Sequence, residues 1–113
     1  MHELSIAMNV IEIADEYAAK ANATVVKEIE IEVGELSGVV LDALEFAMEV
    51  AVKNTILEQA TCRYIRIPGV ARCRKCGHEF NTDNLHTPCP KCNAFEQELI
   101  SGRELRVKSL MVD

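Results

Sequence analysis

Helical spacing of apolar side chains predicts two amphipathic helices. Residues 4–21 place apolar residues three and four positions apart, with Leu4 and Met8 on the apolar face and acidic residues on the other. Residues 39–53 repeat this spacing, with Val40 on the apolar face. Both segments are long enough to cover a small sheet.

Alternation with a period of two predicts three strands. Residues 24–33 alternate isoleucine or valine with glutamate, which is typical of a half-buried strand. Residues 61–67 have the character of a second strand, and in residues 103–112 Leu105, Val107 and Met111 alternate with the intervening side chains. GELSG at 34–38 has two glycines that favour a turn. A small α+β arrangement is therefore expected.

The charges of two strands are complementary. The polar face of 24–33 is acidic, whereas that of 103–112 carries Arg106 and Lys108. If these strands pair, opposite charges meet across the ladder, which stabilises by about 0.2–1 kcal/mol per pair. Two solvated faces that never meet are the alternative.

Residues 70–100 have a different composition. Pro68-Gly69 interrupts the strand pattern, and the following segment is rich in cysteine, proline, asparagine and lysine with little apolar periodicity. Strand character resumes only at 103–112. The segment is therefore interpreted as an insertion between two strands of one sheet.

Length and charge narrow the classes of protein. The 113 residues suit one domain, or one small core carrying a smaller module, and the net charge of −6 disfavours binding of the whole protein to nucleic acid or anionic membranes. Residues 62–92 nevertheless have six basic and two acidic side chains, a local balance of +4. No signal peptide or membrane-spanning run is visible, so the cytoplasm is the expected location. Thiols stay reduced there, and the five cysteines therefore favour metal binding or core packing over disulfides.

Two C-x-x-C pairs form the strongest local motif. They are separated by twelve residues, a spacing that favours a tetrahedral zinc site with four thiolates, and Gly77 and Asn93 stand where such turns need a left-handed backbone. A redox C-x-x-C pair or unrelated core cysteines are the alternatives. A site closed by four protein ligands is structural rather than catalytic. The predicted Zn(II) ligands are Cys73, Cys76, Cys89 and Cys92.

Other side chains near this motif have open roles. Arg72, Arg74, Lys75 and Lys91 are placed to offset the negative charge of four thiolates around zinc. Cys62 is interpreted as a buried core thiol, with a functional role as the alternative. His78 and His86 are expected at the surface, although either could hydrogen-bond a thiolate or replace one.

The opening residues, MHELS, suggest a second metal site. His2-Glu3 does not continue into H-E-x-x-H, because position 6 is isoleucine. The α-amine of Met1, the amide nitrogen and imidazole of His2, and the amide of Glu3 could instead chelate one ion. Such nitrogen-rich, square-planar sites suit Ni(II) or Cu(II). An exposed histidine without a metal is the alternative.

Several motifs together resemble one family. MHELS, V-G-E-L-S-G-V (33–39), I-P-G-x-A-x-C (67–73), the two C-x-x-C pairs and S-G-x-E-L-x-V-K-S-L (101–110) are similar to the HypA/HybF family of nickel metallochaperones in [NiFe]-hydrogenase maturation. The similarity spans nearly the whole chain in order.

This resemblance implies a fold, ligands and partners. It implies an α+β nickel domain (1–69 and 101–113), with a mixed three-stranded sheet and two helices, and an inserted zinc-ribbon-like domain (70–100). His2 would bind Ni(II) as transferable cargo, and the four cysteines would bind structural zinc. The implied partners are the GTPase HypB, the hydrogenase large subunit and, in some organisms, urease maturation proteins. Monomer and homodimer both remain open.

Two other functions are alternatives to a metal carrier. A zinc ribbon that binds nucleic acid or a transcription complex would explain the basic segment, but few aromatic residues are available there for base stacking. An enzyme is not expected, because no glycine-rich phosphate loop, Ser/His/Asp set or open zinc position is present.

Overall fold

A computed structural model describes residues 3–84 and 86–113 and confirms an α+β fold. Among these residues, neither helix combines the length and apolar character that a bilayer crossing would need. The elements in chain order are α1 (Glu3–Lys20), β1 (Val26–Gly34), α2 (Leu41–Ala51), β2 (Thr61–Ile67), β3 (Val70–Cys73), β4 (Glu79–Asn81), β5 (Gln97–Ser101) and β6 (Leu105–Val112).

The first sheet has three strands in the order β2-β1-β6. β1 runs parallel to β2 and antiparallel to β6, so the predicted mixed three-stranded sheet is confirmed. Ile29, Ile31 and Val33 of β1 are fully buried in one core with residues of both helices. Strict alternation thus placed the apolar face of the central strand correctly.

The helices bury a narrower face than the sequence suggested. In α1 the buried residues include Ile6, Ala7 and Val10, whereas Leu4 and Met8 are 53% and 60% exposed. The prediction was wrong for these two side chains because a broad apolar surface does not reveal which side meets the sheet.

Helix α2 shows the same difference. Leu44 and Met48 are buried, but Val40 is 62% exposed. Val40 occupies the extended N-cap position, with φ −82° and ψ 113°. The helical spacing therefore does not apply to its side chain.

The predicted pairing of acidic and basic strands is confirmed, although only one of the two predicted cations meets a carboxylate. Glu32 lies opposite Arg106, and their side chains form an ion pair. A register shift between Glu30 and Ile31 bypasses Lys108, so Ser109 lies opposite Glu30 and its hydroxyl donates to that carboxylate. The bulge explains why simple alternation misplaced Lys108.

The segment 70–100 contains regular structure that the sequence did not reveal. β3 pairs antiparallel with β4 on one side and with β5 on the other, giving a second sheet in the order β4-β3-β5. These strands have three to five residues, too few for a clear alternation. In chain order they lie between β2 and β6, which are both strands of the first sheet.

The two sheets meet where three backbone segments pass very close together. The N–H of Gly34 donates to the carbonyl of Glu104 at 2.6 Å, and the N–H of Leu36 donates to the carbonyl of Gly102 at 2.7 Å. A Cβ atom added to Gly34 would lie 2.0 Å from the Gly102 oxygen, and one on Gly102 would lie 2.7 Å from the Cα of Gly69. Only glycine fits at these positions. We call Gly34, Gly69 and Gly102 the glycine junction.

Candidate metal centre

Four cysteine sulfur atoms converge at one end of the second sheet. Their Sγ atoms all lie within 4.8 Å of one another. Two Sγ–Sγ distances are 3.5 Å and 3.6 Å, and each joins the first C-x-x-C pair to the second. The first cysteine of each pair is buried and the second is exposed. The residues are Cys73, Cys76, Cys89 and Cys92.

This geometry fits a tetrahedral zinc ion. A Zn–S bond of about 2.3 Å places tetrahedral sulfur ligands about 3.8 Å apart. The observed separations are close to this value, and the donor set of four thiols is one that zinc prefers. With all four positions filled by protein, such an ion is structural and has no site for a substrate.

Both C-x-x-C turns use the same backbone hydrogen bonds. The N–H of Gly77 donates to the carbonyl of Cys73 at 2.9 Å, and the N–H of Cys73 donates to the carbonyl of His78 at 2.9 Å. The second turn repeats this pattern, with Asn93 N–H to Cys89 O at 2.8 Å and Cys89 N–H to Ala94 O at 2.9 Å. Each turn therefore presents its two sulfurs in a fixed orientation.

A left-handed residue closes each turn. Gly77 has φ 77° and Asn93 has φ 63°, as the sequence predicted. Glycine adopts this conformation without a Cβ clash, and asparagine tolerates it better than most residues. Two local backbone preferences thus bring the two pairs of thiols together.

The cysteines differ in their affinity for protons. The backbone N–H of Cys76 donates to Cys73 Sγ at 3.5 Å and lowers the pKa of that thiol to about 6, although burial acts against this. For Cys92 the backbone N–H of Ala94 acts to lower the pKa, but the nearby Cys73 thiol, burial and the other cysteines raise it to about 12. Four adjacent sulfurs cannot all ionise without a cation between them, which is the role that zinc would fill.

The second sheet has very little apolar core. Among the described residues its buried cluster contains Ala71, Cys73, Phe80 and Cys89, with Ala94 packed against it. Two of these four are themselves metal-ligand candidates. Apolar burial of this size is small beside the cost of ordering the segment, so metal coordination is needed to stabilise it.

The basic residues around the centre are partly neutralised by carboxylates. Arg72 contacts Glu79 and Glu98 at 3.0 Å each, and Lys75 lies 3.9 Å from Glu96. The local positive balance of the sequence is therefore smaller in the folded protein than the count of residues suggests.

Cys62, His78 and His86 lie outside the four-sulfur group. Cys62 is half-buried against the first core, and desolvation raises the pKa of its thiol. The His78 ring stacks on Phe80 with centroids 6.1 Å apart, and His86 is exposed. Among the described residues, the cluster of potential metal ligands contains cysteines alone.

The predicted nickel site at Met1 and His2 lies outside the described residues. Glu3, whose amide is the candidate fourth nitrogen, is the first residue of α1. Ile6 and Ala7 are buried within the next turn and fix the start of this helix on the core.

At the zinc centre, the sequence did not reveal the hydrogen bond from the backbone N–H of Cys76 to Cys73. Main-chain donors are present at almost every residue, so they leave no signal in the residue types.

Comparison with known proteins identifies one family. Residues 1–112 match the family described as hydrogenase/urease nickel incorporation, metallochaperone, HypA. The chain is 42% identical over 112 residues to the hydrogenase maturation factor HypA of Parabacteroides distasonis, covering 99% of this chain and 97% of that protein. It is also 42% identical over 113 residues to the protein of the same name from Geobacter metallireducens, with 100% of both covered.

Solved structures show the same fold. The solution structure of the Ni metallochaperone HypA from Helicobacter pylori matches with a TM-score of 0.70 at 24% identity, covering 99% of this chain and 97% of that one. A second solution structure, described as that of HypA protein, gives a TM-score of 0.73 at 24% identity, covering 100% of this chain and 97% of that one.

Proposed function

Because this chain belongs to the HypA family of nickel-incorporation metallochaperones, we propose that it carries Ni(II) and delivers it to the large subunit of a [NiFe] hydrogenase. The family is one of metallochaperones, not enzymes. The observation that carries the proposal is the family match over residues 1–112, which includes both the N-terminal segment and the four cysteines.

The nickel ligands are the amine of Met1, the amide nitrogen and imidazole of His2, and the amide nitrogen of Glu3. The beginning of α1 at Glu3 supports this assignment. The first N–H groups of a helix have no carbonyl partner within the helix, so an amide there can bind a metal without breaking a helical hydrogen bond. Nitrogen donors in a plane suit Ni(II).

Release of the cargo follows from the same chemistry. Protons compete with the metal for the imidazole and the amine, so lower pH favours release of nickel. Cu(II) would bind these nitrogens more tightly than Ni(II) by the usual order of divalent metals. Selectivity must therefore come from delivery and docking rather than from the chelate alone.

The four cysteines hold structural Zn(II) in the insertion. We assign residues 1–69 and 101–113 to a nickel domain and residues 70–100 to a zinc domain. The two separate buried clusters support this division. On this assignment zinc stabilises the insertion and takes no part in the nickel chelate.

The remaining proposals concern partners and location. The GTPase HypB is the expected partner in nickel transfer, and urease maturation proteins are a second destination. The family description, which names hydrogenase and urease, supports these two as destinations of the nickel. We place the protein in the cytoplasm, where a reduced zinc–thiolate site is stable.

Nickel titration of untagged protein tests the chelate. The variant His2→Gln should lose stoichiometric Ni(II) binding and retain zinc, and glutamine is also bulky enough to keep the initiator methionine in place. His86→Gln, at an exposed histidine, is the matched control and should bind nickel normally. Acetylation of the Met1 amine should have the effect of His2→Gln.

Zinc analysis separates the two sites. Cys73→Ala should release zinc and loosen the insertion, while the first sheet remains folded. Full nickel affinity in His2→Gln or in acetylated protein would contradict the N-terminal assignment. Full zinc content in Cys73→Ala would contradict the four-cysteine site.

A further inference from the structure

The second sheet has an open edge at β5. β5 pairs with β3 on one side, and no described strand lies on its other side. The N–H of Arg74 donates to the carbonyl of Glu96 at 2.8 Å, so these two residues form a hydrogen-bonded pair of the antiparallel ladder. Hydrogen-bonded and non-hydrogen-bonded pairs alternate from there along β5. Since Arg72 lies opposite Glu98 and Ala71 opposite Leu99, the N–H and C=O of Leu99 point away from β3. An added strand would find these groups ready to bond.

Clefts run along this strand. One has a volume of about 470 Å³ and is lined by Phe95, Leu99 and Arg103 among others. A second, of about 330 Å³, is lined by Leu99, Ile100 and Arg103. Both contact Leu99 and Arg103, and the first also extends over the sheet to Ala71 of β3; we call the two clefts together the groove. Phe95 and Ile100 at its rim are 70% and 44% exposed.

The groove contains two arginines that have no ion-pair partner among the described residues, alongside Glu98 and Glu104. Arg74 and Arg103 line it, and in the part of the chain that the structure describes neither has a carboxylate within 4.0 Å. The carboxylates nearby already have partners. Glu98 binds Arg72, and Glu104 accepts the Gly102 N–H at 2.7 Å.

We propose that the edge of β5 and the groove beside it bind an extended, acidic peptide segment of a partner protein by strand addition. Backbone hydrogen bonds to the outward groups of Leu99 would supply affinity, and Arg74 and Arg103 would select acidic side chains. The inference rests on the second sheet alone and does not depend on the nickel proposal.

A peptide fits this surface better than a nucleic acid. The groove offers an unpaired strand edge, which a nucleic acid cannot use. Phe95 is the one aromatic side chain among the lining residues, whereas single-stranded nucleic acids bind to several stacked aromatics.

Fluorescence anisotropy on zinc-loaded, full-length protein tests the proposal. The probe is a labelled, end-capped peptide of about eight residues that alternates valine and glutamate, a length that covers one strand edge. Comparison probes are a valine–lysine peptide, the acidic peptide with alternate backbone nitrogens methylated, and oligo(dT). The acidic peptide should bind and weaken with added salt, and the methylated one should bind at least about tenfold more weakly.

Two variants distinguish the groove from general electrostatics. Arg74→Gln/Arg103→Gln should weaken binding of the acidic peptide by about tenfold or more. Arg66→Gln/Lys53→Gln removes the same charge at exposed positions outside the groove and should change it less than about twofold. Equal binding of both peptide charges, equal loss in both variants, or preference for oligo(dT) would each overturn the proposal. Amide exchange gives a second readout, since the Leu99 N–H should be protected in the complex.

Discussion

Replacing Gly34 with alanine is expected to disrupt the contact between the two sheets. The new methyl group would lie 2.0 Å from the Gly102 oxygen and 2.8 Å from the Arg103 nitrogen. Carbon–oxygen contacts ordinarily stop near 3.3 Å. The backbone must therefore separate by more than about an ångström, and both neighbours are main-chain atoms that no side-chain rotation can move away.

The cost follows from the hydrogen bonds that this separation breaks. The junction bonds donated by Gly34 and Leu36 are 2.6 Å and 2.7 Å long. Leaving a buried donor or acceptor unsatisfied costs about 1–3 kcal/mol, so we expect the loss of both bonds to cost about 2–6 kcal/mol. Domains of ordinary stability have only about 5–15 kcal/mol in total.

Gly38→Ala is the matched control. Gly38 has φ 82°, but a Cβ added there meets no atom within 4 Å. It should cost only the left-handed backbone penalty of about 1–2 kcal/mol. Urea unfolding followed by circular dichroism measures both losses, and amide exchange of the Leu36 N–H should accelerate only in Gly34→Ala. A loss in Gly34→Ala no larger than that in Gly38→Ala, with normal exchange at Leu36, would refute the reasoning.

Three further outcomes are expected. Ile31→Ala should lower the free energy of unfolding by about 2–5 kcal/mol because Ile31 is fully buried, whereas Val50→Ala, at a side chain 51% exposed, should change it by less than about 0.5 kcal/mol in urea melts. A chelator should collapse the NMR dispersion of residues 70–100 while the amides of β1 stay protected; uniform loss or no loss would contradict a zinc-dependent insertion. Hydrogen bonding from the Val25 backbone lowers the pKa of Asp113 in the folded state. Its carboxylate therefore stabilises the fold above its unfolded pKa of about 3.9, and this contribution disappears as pH falls through the lower folded value. Asp113→Asn should make stability less dependent on pH in acid melts below about pH 4.

The first sheet could be predicted because each of its strands carries its own signal. The alternation in residues 24–33 identified the buried face of β1, and opposite charges on two distant strands indicated that they pair. The ion pair of Glu32 with Arg106 confirms that second inference. The bulge that excludes Lys108 could not be predicted, because a single extra residue leaves the local apolar pattern unchanged.

Sequence patterns fail to predict structure where one pattern fits two arrangements, or where an element is too short to show a pattern. An apolar helix surface does not state which of its sides meets the sheet, so Leu4 and Met8 were placed wrongly. The strands of the insertion are shorter than the window in which periodicity is visible. In the insertion, the sequence predicted only the cysteine site and the left-handed residues that follow each cysteine pair.

The candidate zinc centre was predictable because each C-x-x-C motif supplies both a tight turn and the two thiol ligands that the turn presents. The four sulfurs meet within 4.8 Å, as two C-x-x-C pairs at this spacing require. The hydrogen bond from the Cys76 backbone to Cys73 was not predictable, since every residue but proline offers such a donor. The N-terminal nickel ligands stay a prediction.

The pairing of Val70 with Ser101 has a consequence for the order of folding. β6 must find β1 across a long connection, and Arg106 and Glu32 are separated by 74 positions in the chain. Once the insertion is ordered, its two ends are held side by side, and the effective loop between β2 and β6 shrinks from the 37 residues of 68–104 to a few. Loop-closure entropy then falls by about 2 kcal/mol. Zinc bound in the insertion would therefore accelerate the pairing of β6 with β1, although its ligands lie outside the first sheet.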